Sequence, residues 1–220
     1  MSATPSTQVT RLREKQDTSR RRLDELLDST PLATVALVRD GHPVVFPTGF
    51  ARLDDELVIH GSTGSPWLRA LAAGASAAVS VTALDGVMVA RSGFESSFRY
   101  RSAAIFGRFE VIDGDDKERY LDALVEAFIP GRVAELRASN RKEIAATQAL
   151  RLAIGETNWS LKVSDGWPED PPEDVASGAW AGVVPMTVTY GPPQPAPDNL
   201  PGTPMPASVR ALSGNFDNPD

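Results

Sequence analysis

The chain has 220 residues, 41% of them hydrophobic, with 29 acidic side chains against 22 basic ones, a formal net charge of −7 and no cysteine. That length can bury roughly 70% of the surface an unfolded chain exposes, enough for one core plus a tail. The acidic balance argues against a nucleic-acid partner, and the missing cysteine removes disulfides, thiolate metal sites and a cysteine nucleophile. No apolar run reaches membrane length, and Met1-Ser2-Ala3-Thr4-Pro5 lacks the charged and apolar regions of a secretion signal. The expectation is a cytoplasmic protein without membrane contact.

Arg20-Arg21-Arg22, the one basic cluster, runs into Leu23, Leu26 and Leu27 with Asp24 and Glu25 between them. This is the pattern of a short amphipathic helix with a solvated charged face. Thr30-Pro31 ends it, and residues 32–38 predict a strand. Arg39-Asp40-Gly41-His42 supplies hairpin chemistry before a return strand over residues 43–50. Residues 52–56 form a polar turn, and Leu57-Val58-Ile59 reads as a buried strand. The chain then breaks into His60-Gly61-Ser62-Thr63-Gly64, with Ser65 where an N-cap belongs and Pro66 where a first helical residue belongs. Trp67, Leu68, Leu71 and Ala72 carry a helical pattern to a C-cap near Gly74. Free N–H groups at such a start, beside the hydroxyls of Ser62, Thr63 and Ser65, can bind an anion; the same residues can equally serve only as a cap.

Residues 77–84 predict a strand, Asp85-Gly86 a turn, and residues 87–90 another strand. A loop over residues 92–98 leads to a strand over 100–111, helices over 115–128 and 141–150, and a last strand over 151–163. Short antiparallel strands with a helix inserted midway predict a mainly β, α+β fold, a small closed barrel with peripheral helices. No glycine fingerprint followed by an acidic residue about 20 positions on supports a Rossmann-type sheet. From Asp165 onward prolines accumulate, so this segment is expected to be extended, neither helix nor central strand. Within it, residues 180–185 form an apolar island that the barrel or a neighbouring subunit must cover. The expected organisation is a flexible N-terminus over 1–16, a barrel domain over 17–164 and an extended Pro-rich tail over 165–220.

Histidine is scarce. His42 follows Gly41 in the hairpin turn, an exposed position. His60 ends a strand beside the small-residue turn, and three roles stay open for it: cofactor contact, hydrogen-bonded structural residue, or metal or haem ligand. No His/Asp/Glu cluster has metal-ligand spacing, so no metal site is expected, and there is no Gly-x-Ser-x-Gly elbow. Arg91 either pairs with Asp85 or reaches a ligand. Trp159, Trp167 and Trp180 read as core or subunit-contact residues, and Glu169-Asp170 and Glu173-Asp174 as a solvated acidic tail.

Taken in order, several segments carry a resemblance: Val45-Phe46-Pro47-Thr48, Ile59-His60-Gly61-Ser62 with Ser65, Val81 to Gly86, Tyr100-Arg101-Ser102 with Phe106-Gly107-Arg108, Lys162-Val163, and Trp180-Ala181-Gly182-Val183. From about Asp17 to Ala207 the chain resembles the FMN-binding split-barrel proteins related to pyridoxamine 5′-phosphate oxidase, most closely the branch that includes nitroimidazole-resistance-type proteins. The resemblance implies a split β-barrel and a homodimer with flavin mononucleotide at the subunit interface. It places Pro47, Thr48 and Gly49 against the isoalloxazine edge, and His60, Gly61, Ser62 and Ser65 along the ribityl-phosphate side. Arg101 and Ser102 would add a charged and a hydroxyl contact. The implied function is that of an FMN-dependent oxidoreductase acting on a small molecule, with no side chain needed as a catalytic group. The alternative is a flavin carrier or sensor, or a haem- or deazaflavin-binding protein on the same barrel.

Two departures from the family pattern stand out. Pro66 and Trp67 occupy the positions where relatives commonly place a phosphate-pairing cation, a loss of about 1.5–3 kcal/mol of charge-assisted binding. Glu95-Ser96 replaces a pair of histidines, leaving Arg99 and Arg69 as candidate substitutes for the missing charge.

Overall fold

Asp40 and Gly41 take positive φ values of 51° and 77°, the backbone that a two-residue hairpin turn requires. They join β2 (Leu32–Arg39) to β3 (His42–Leu53), which pair in register from Arg39↔His42 to Leu32↔Gly49. The computed structural model describes residues 6–214. The remaining elements, in chain order, are β1 (Gln16–Asp17) and α1 (Arg20–Ser29) before this hairpin, then β4 (Glu56–Ser62), α2 (Pro66–Ala72), β5 (Ser76–Val89), β6 (Ser97–Arg108) and β7 (Glu110–Val111). There follow α3 (Asp116–Phe128), α4 (Arg141–Ala146), β8 (Thr147–Ala153), β9 (Trp159–Ser164), α5 (Pro172–Ala176), β10 (Gly182–Pro185) and α6 (Ala207–Leu212).

The strands form one antiparallel sheet in the order β1-β9-β6-β5-β2-β3-β4-β8-β7, with β10 added to β5. The sheet does not close by strand pairing, so the barrel is split rather than closed as its turn pattern suggested. Asn158 spans the gap: its side-chain N–H donates to the Phe106 and Ala153 carbonyls, both at 2.9 Å, and its own carbonyl accepts from Phe106 N–H at 2.8 Å. Gly107 allows the approach, because a Cβ there would stand 2.6 Å from Leu152 Cδ1.

Alternation sorts the side chains into two cores. Val35, Val79, Val81, Ile105 and Leu161 point into the barrel, where α1 inserts Leu23, Leu26 and Leu27. Each such leucine contributes about 1.5–3 kcal/mol by leaving water. On the outer side of β3, β4 and β8, α3 lays Tyr120 and Leu124 against Ala51, Val58 and Ala149. The arginines of α1 meet carboxylates: Arg20 with Asp24 and Asp55, Arg21 with Glu25, and Arg22 with Asp17 and Asp165.

Four local expectations change. Asp85-Gly86 is not a turn but a bulge within continuous β5, where the register with β6 shifts between Leu84 and Gly86. The helix expected to reach Leu150 stops at Ala146, since Thr147 onward pairs with β4. The strand expected over 151–163 is two strands, β8 and β9, separated by the Asn158 loop. The tail is not uniformly extended: it contributes α5, α6 and a strand, β10, seated on β5. Trp180 remains 67% exposed, lying beside Gly182. No described helix is long and apolar enough to cross a membrane. The outermost parts of the expected N-terminal and tail segments, residues 1–5 and 215–220, lie outside the described residues.

Candidate functional site

The split in the barrel has a counterpart on β3, which changes partners midway. Its first part pairs with β2 as far as Gly49, and its second pairs with β4 only from Phe50↔Ile59 to Leu53↔Glu56. Beyond Phe50 and Ile59 the two strands part. Pro47 and Gly49 on β3, and His60 and Ser62 on β4, lie at this parting, all on the outward side of the sheet. Thr48 and Gly61 point the other way: Thr48 stands in register with buried Ala33, and Gly61 is packed against Leu68. Gly49 carries Phe128 of α3, whose ring would lie 2.7 Å from an added Cβ. The structure thus gathers Pro47, Gly49, His60 and Ser62 on one face.

The turn after His60 is less open to an anion than its composition suggests. Thr63 N–H donates to the Ala146 carbonyl at 3.0 Å, Gly64 N–H to Ser62 Oγ at 3.1 Å and Ser65 N–H to the Ser62 carbonyl at 2.9 Å. Ser65 is the N-cap and Pro66 opens α2, but the Ser65 hydroxyl makes no capping bond. Trp67, in the place of the missing cation, stacks on Phe46 with ring centroids 5.1 Å apart. Desolvation lowers the His60 imidazole below its ordinary value.

The expected contacts from β6 divide in the same way. Arg101 lies on the inward side and gives both Nε and a terminal N–H to Asp85, each at 2.9 Å, which ties it to the bulge. Ser102 faces outward, in register with Thr82 on β5 and Lys162 on β9. The neighbouring outward row runs Pro47, Thr34, Ser80, Ala104 and Ser160 across five strands. Side chains so placed stand about 4.5–5.5 Å apart. The face is open, with Leu32 57% and Val45 58% exposed on its rim. Ser80, Thr82 and Lys162 are the residues that sequence reasoning missed as site candidates. Their signal was the alternation Val79-Ser80-Val81-Thr82, apolar inward and hydroxyl outward.

Of the other candidate cations, Arg69 lies exposed on α2, while Arg99 and Arg91 are engaged in the tail. Arg99 donates to the Gly166 carbonyl at 2.8 Å and lies over the Trp167 ring at 4.9 Å. Arg91 pairs not with Asp85 but with Asp170, at 2.9 Å. Asp170 therefore belongs to a buried pair rather than a solvated acidic run: its side chain is 1% exposed. Among the described residues no three metal-ligating side chains converge.

The sequence pattern of the pyridoxamine 5′-phosphate oxidase family matches residues 19–159, and the chain belongs to that family. Among solved structures, it is 73% identical to the FAD and haem binding protein of Mycobacterium smegmatis, with a TM-score of 0.88 over 90% of this chain and 97% of that one. It is 37% identical to the flavocytochrome Anf3 of Azotobacter vinelandii, with a TM-score of 0.87 over 94% and 95%. A putative 5-nitroimidazole resistance protein of Bacteroides thetaiotaomicron shares the fold at 15% identity, with a TM-score of 0.56 over 66% of this chain and 86% of that one. No curated protein matches the chain.

Proposed function

We propose that this chain is a flavin- and haem-binding redox protein, homodimeric and cytoplasmic, acting on a small-molecule partner. The observation that carries the reading is its 73% identity, along 97% of that protein's length, to a protein that binds FAD and haem. The same match favours FAD over the FMN that the family resemblance implies.

The donor set supports the flavin. A flavin phosphate needs hydroxyl or N–H donors and a cation. Thr82, Ser102 and Lys162 offer them in one registered row, while Arg101 is held by Asp85 on the other side of the sheet. In this reading Lys162 supplies the charge that Pro66 and Trp67 do not. Pro47 and Leu32, on the same open face, give the ring system apolar contact. A second copy of the chain, seated on the exposed Leu32 and Val45, excludes water from that face. Bound flavin would supply two-electron and one-electron transfer, and bound haem one-electron chemistry. The side chains bind, orient and shield, and none is required as a nucleophile.

Titrating the cofactor-stripped protein with FAD and with FMN, followed by flavin fluorescence, tests this reading. FAD is expected to bind more tightly, at one per chain, and Lys162→Gln to weaken it about tenfold or more, the equivalent of one charged hydrogen bond. Binding of neither flavin overturns the reading.

A further inference from the structure

Strand β3 keeps β4 along one edge as far as Leu53, but along its other edge β2 stops short, with Leu32↔Gly49 as the last rung. One more bond follows, from Phe50 N–H to the Pro31 carbonyl at 3.2 Å. That bond fixes how the backbone faces. Main-chain groups of alternate strand residues point to the same edge, so Arg52 N–H and C=O face the side that β2 has left. Among the described residues no other element bonds to either of them. Pro31 has no N–H to return, so the Phe50 carbonyl is left open on that edge as well. The next residue on this edge, Asp54, already belongs to the turn into β4, with a φ of 52°. The open edge is therefore one rung long, too short for an added peptide strand.

No strand fills the space opposite this edge. A cavity of about 410 Å³ lies there, between the C-terminal end of α1 and α3. Its walls are apolar: Leu27 of α1, Phe50 and Leu53 of β3, and Ala123 and Ala127 of α3. The two alanines stand four residues apart on one face of α3, where a larger pair would close the gap to α1. The charges at the mouth are already engaged. Asp28 takes two N–H groups of the Arg52 guanidinium, at 2.8 and 2.6 Å. Glu126 accepts the Gly131 and Val133 amides at 2.6 and 2.8 Å. A charged guest would find no free opposite charge on this lining, whereas a neutral one finds a donor beside an acceptor above apolar walls.

We propose that the α1–β3–α3 cavity is a binding site for a neutral, planar carboxamide or lactam, held by the main-chain N–H and C=O of Arg52. Such a molecule carries an N–H next to a C=O on one edge, and so completes the rung that β2 leaves out. Its flat ring takes the apolar walls, and the cavity volume falls within the ordinary range for small-molecule sites. The site lies on the β2 side of β3, apart from the β5–β6–β9 row, and it does not depend on the cofactor reading above.

The test titrates the full chain, as purified, with three probes of one shape: isoquinolone, a cis-lactam; N-methylisoquinolone, which lacks the donor; and isoquinoline, which lacks both groups. Binding is followed by the amide NMR signal of Arg52. Isoquinolone is expected to saturate at one per chain with a dissociation constant of about 1 mM or tighter, shifting the Arg52 amide. The other two probes are expected to bind at least about tenfold more weakly. Ala123→Leu should fill the cavity and abolish isoquinolone binding while circular dichroism keeps the wild-type fold. Ala127→Leu changes an exposed position of the same helix face, so it carries the test where Ala123→Leu fails to fold. An Arg52 amide that does not respond to isoquinolone overturns the site. So does equal affinity for the N-methyl probe, or undiminished binding in a folded Ala123→Leu or, failing that, in Ala127→Leu.

Discussion

Asp170 and Arg91 fasten the Pro-rich tail to the far end of the β5–β6 hairpin. The Asp170 carboxylate accepts the Arg91 main-chain N–H at 2.8 Å and its guanidinium at 2.9 Å, with the carboxylate almost fully buried. Arg91 Nε, also buried, has no partner among the described residues, so the arginine depends on this one carboxylate. Asp170→Ala should therefore cost about 2–3 kcal/mol, because it strands a partly buried cation. The loss should appear as a lower melting temperature and as faster proteolysis within the tail. A variant as stable and as protease-resistant as the wild type would contradict the tether.

Gly86 is a second fastening point. A Cβ there would stand 2.9 Å from the Val184 carbonyl and 3.1 Å from Val183 Cγ1. The obstructing carbonyl is backbone and cannot swing aside, so Gly86→Ala should push β10 off β5. Hydrogen exchange at the β10 amides is expected to accelerate by at least tenfold, with little change at β2–β3. Unchanged β10 protection would show that the tail strand tolerates the displacement.

Arg101 illustrates how far the sequence could be read. Its residue type fits a phosphate contact, and the family resemblance proposes one. The alternation of β6, however, turns it inward to Asp85 while its neighbour Ser102 faces the open side. Residue type alone does not set which way a strand side chain faces. The same limit applies to Thr48 and Gly61, one position out of phase with Pro47 and His60. The α1 helix, the first hairpin and the Ser65-Pro66 helix start were legible because caps, turn residues and periodicity act locally. The bulge at Gly86, the break at Asn158 and the burial of Asp170 were not, since each is decided by a partner distant in sequence.

Arg101→Gln separates the two readings of that residue. Arg101 and Asp85 are each about a third exposed, so losing the pair should cost no more than about 1 kcal/mol. FAD affinity should stay within about twofold of wild type, in contrast to the drop expected for Lys162→Gln. Loss of flavin binding in Arg101→Gln alone would return the phosphate to the inward side.

Acid should loosen α4 before the barrel. Glu143 closes a capping box with Asn140 and pairs with Arg137, which pulls its carboxyl down to about 2 from an ordinary 4.5. Because the folded value is the lower one, its contribution is complete above about pH 4.5 and is lost as pH falls from there toward 2. Carboxyl-carbon NMR of Glu143, read with the amide exchange of Lys142 and Glu143, should follow that window. Titration of Glu143 near 4.5, with no change in its neighbours, would remove the cap from the account.

The most direct measurement of the central claim is the cofactor content of the full-length protein as purified, by absorbance, haemochromogen assay and mass of the extracted flavin. The account predicts flavin bands together with a Soret band, with FAD as the extracted species and near one of each group per chain. A colourless protein that takes up neither FAD nor hemin on addition would contradict it.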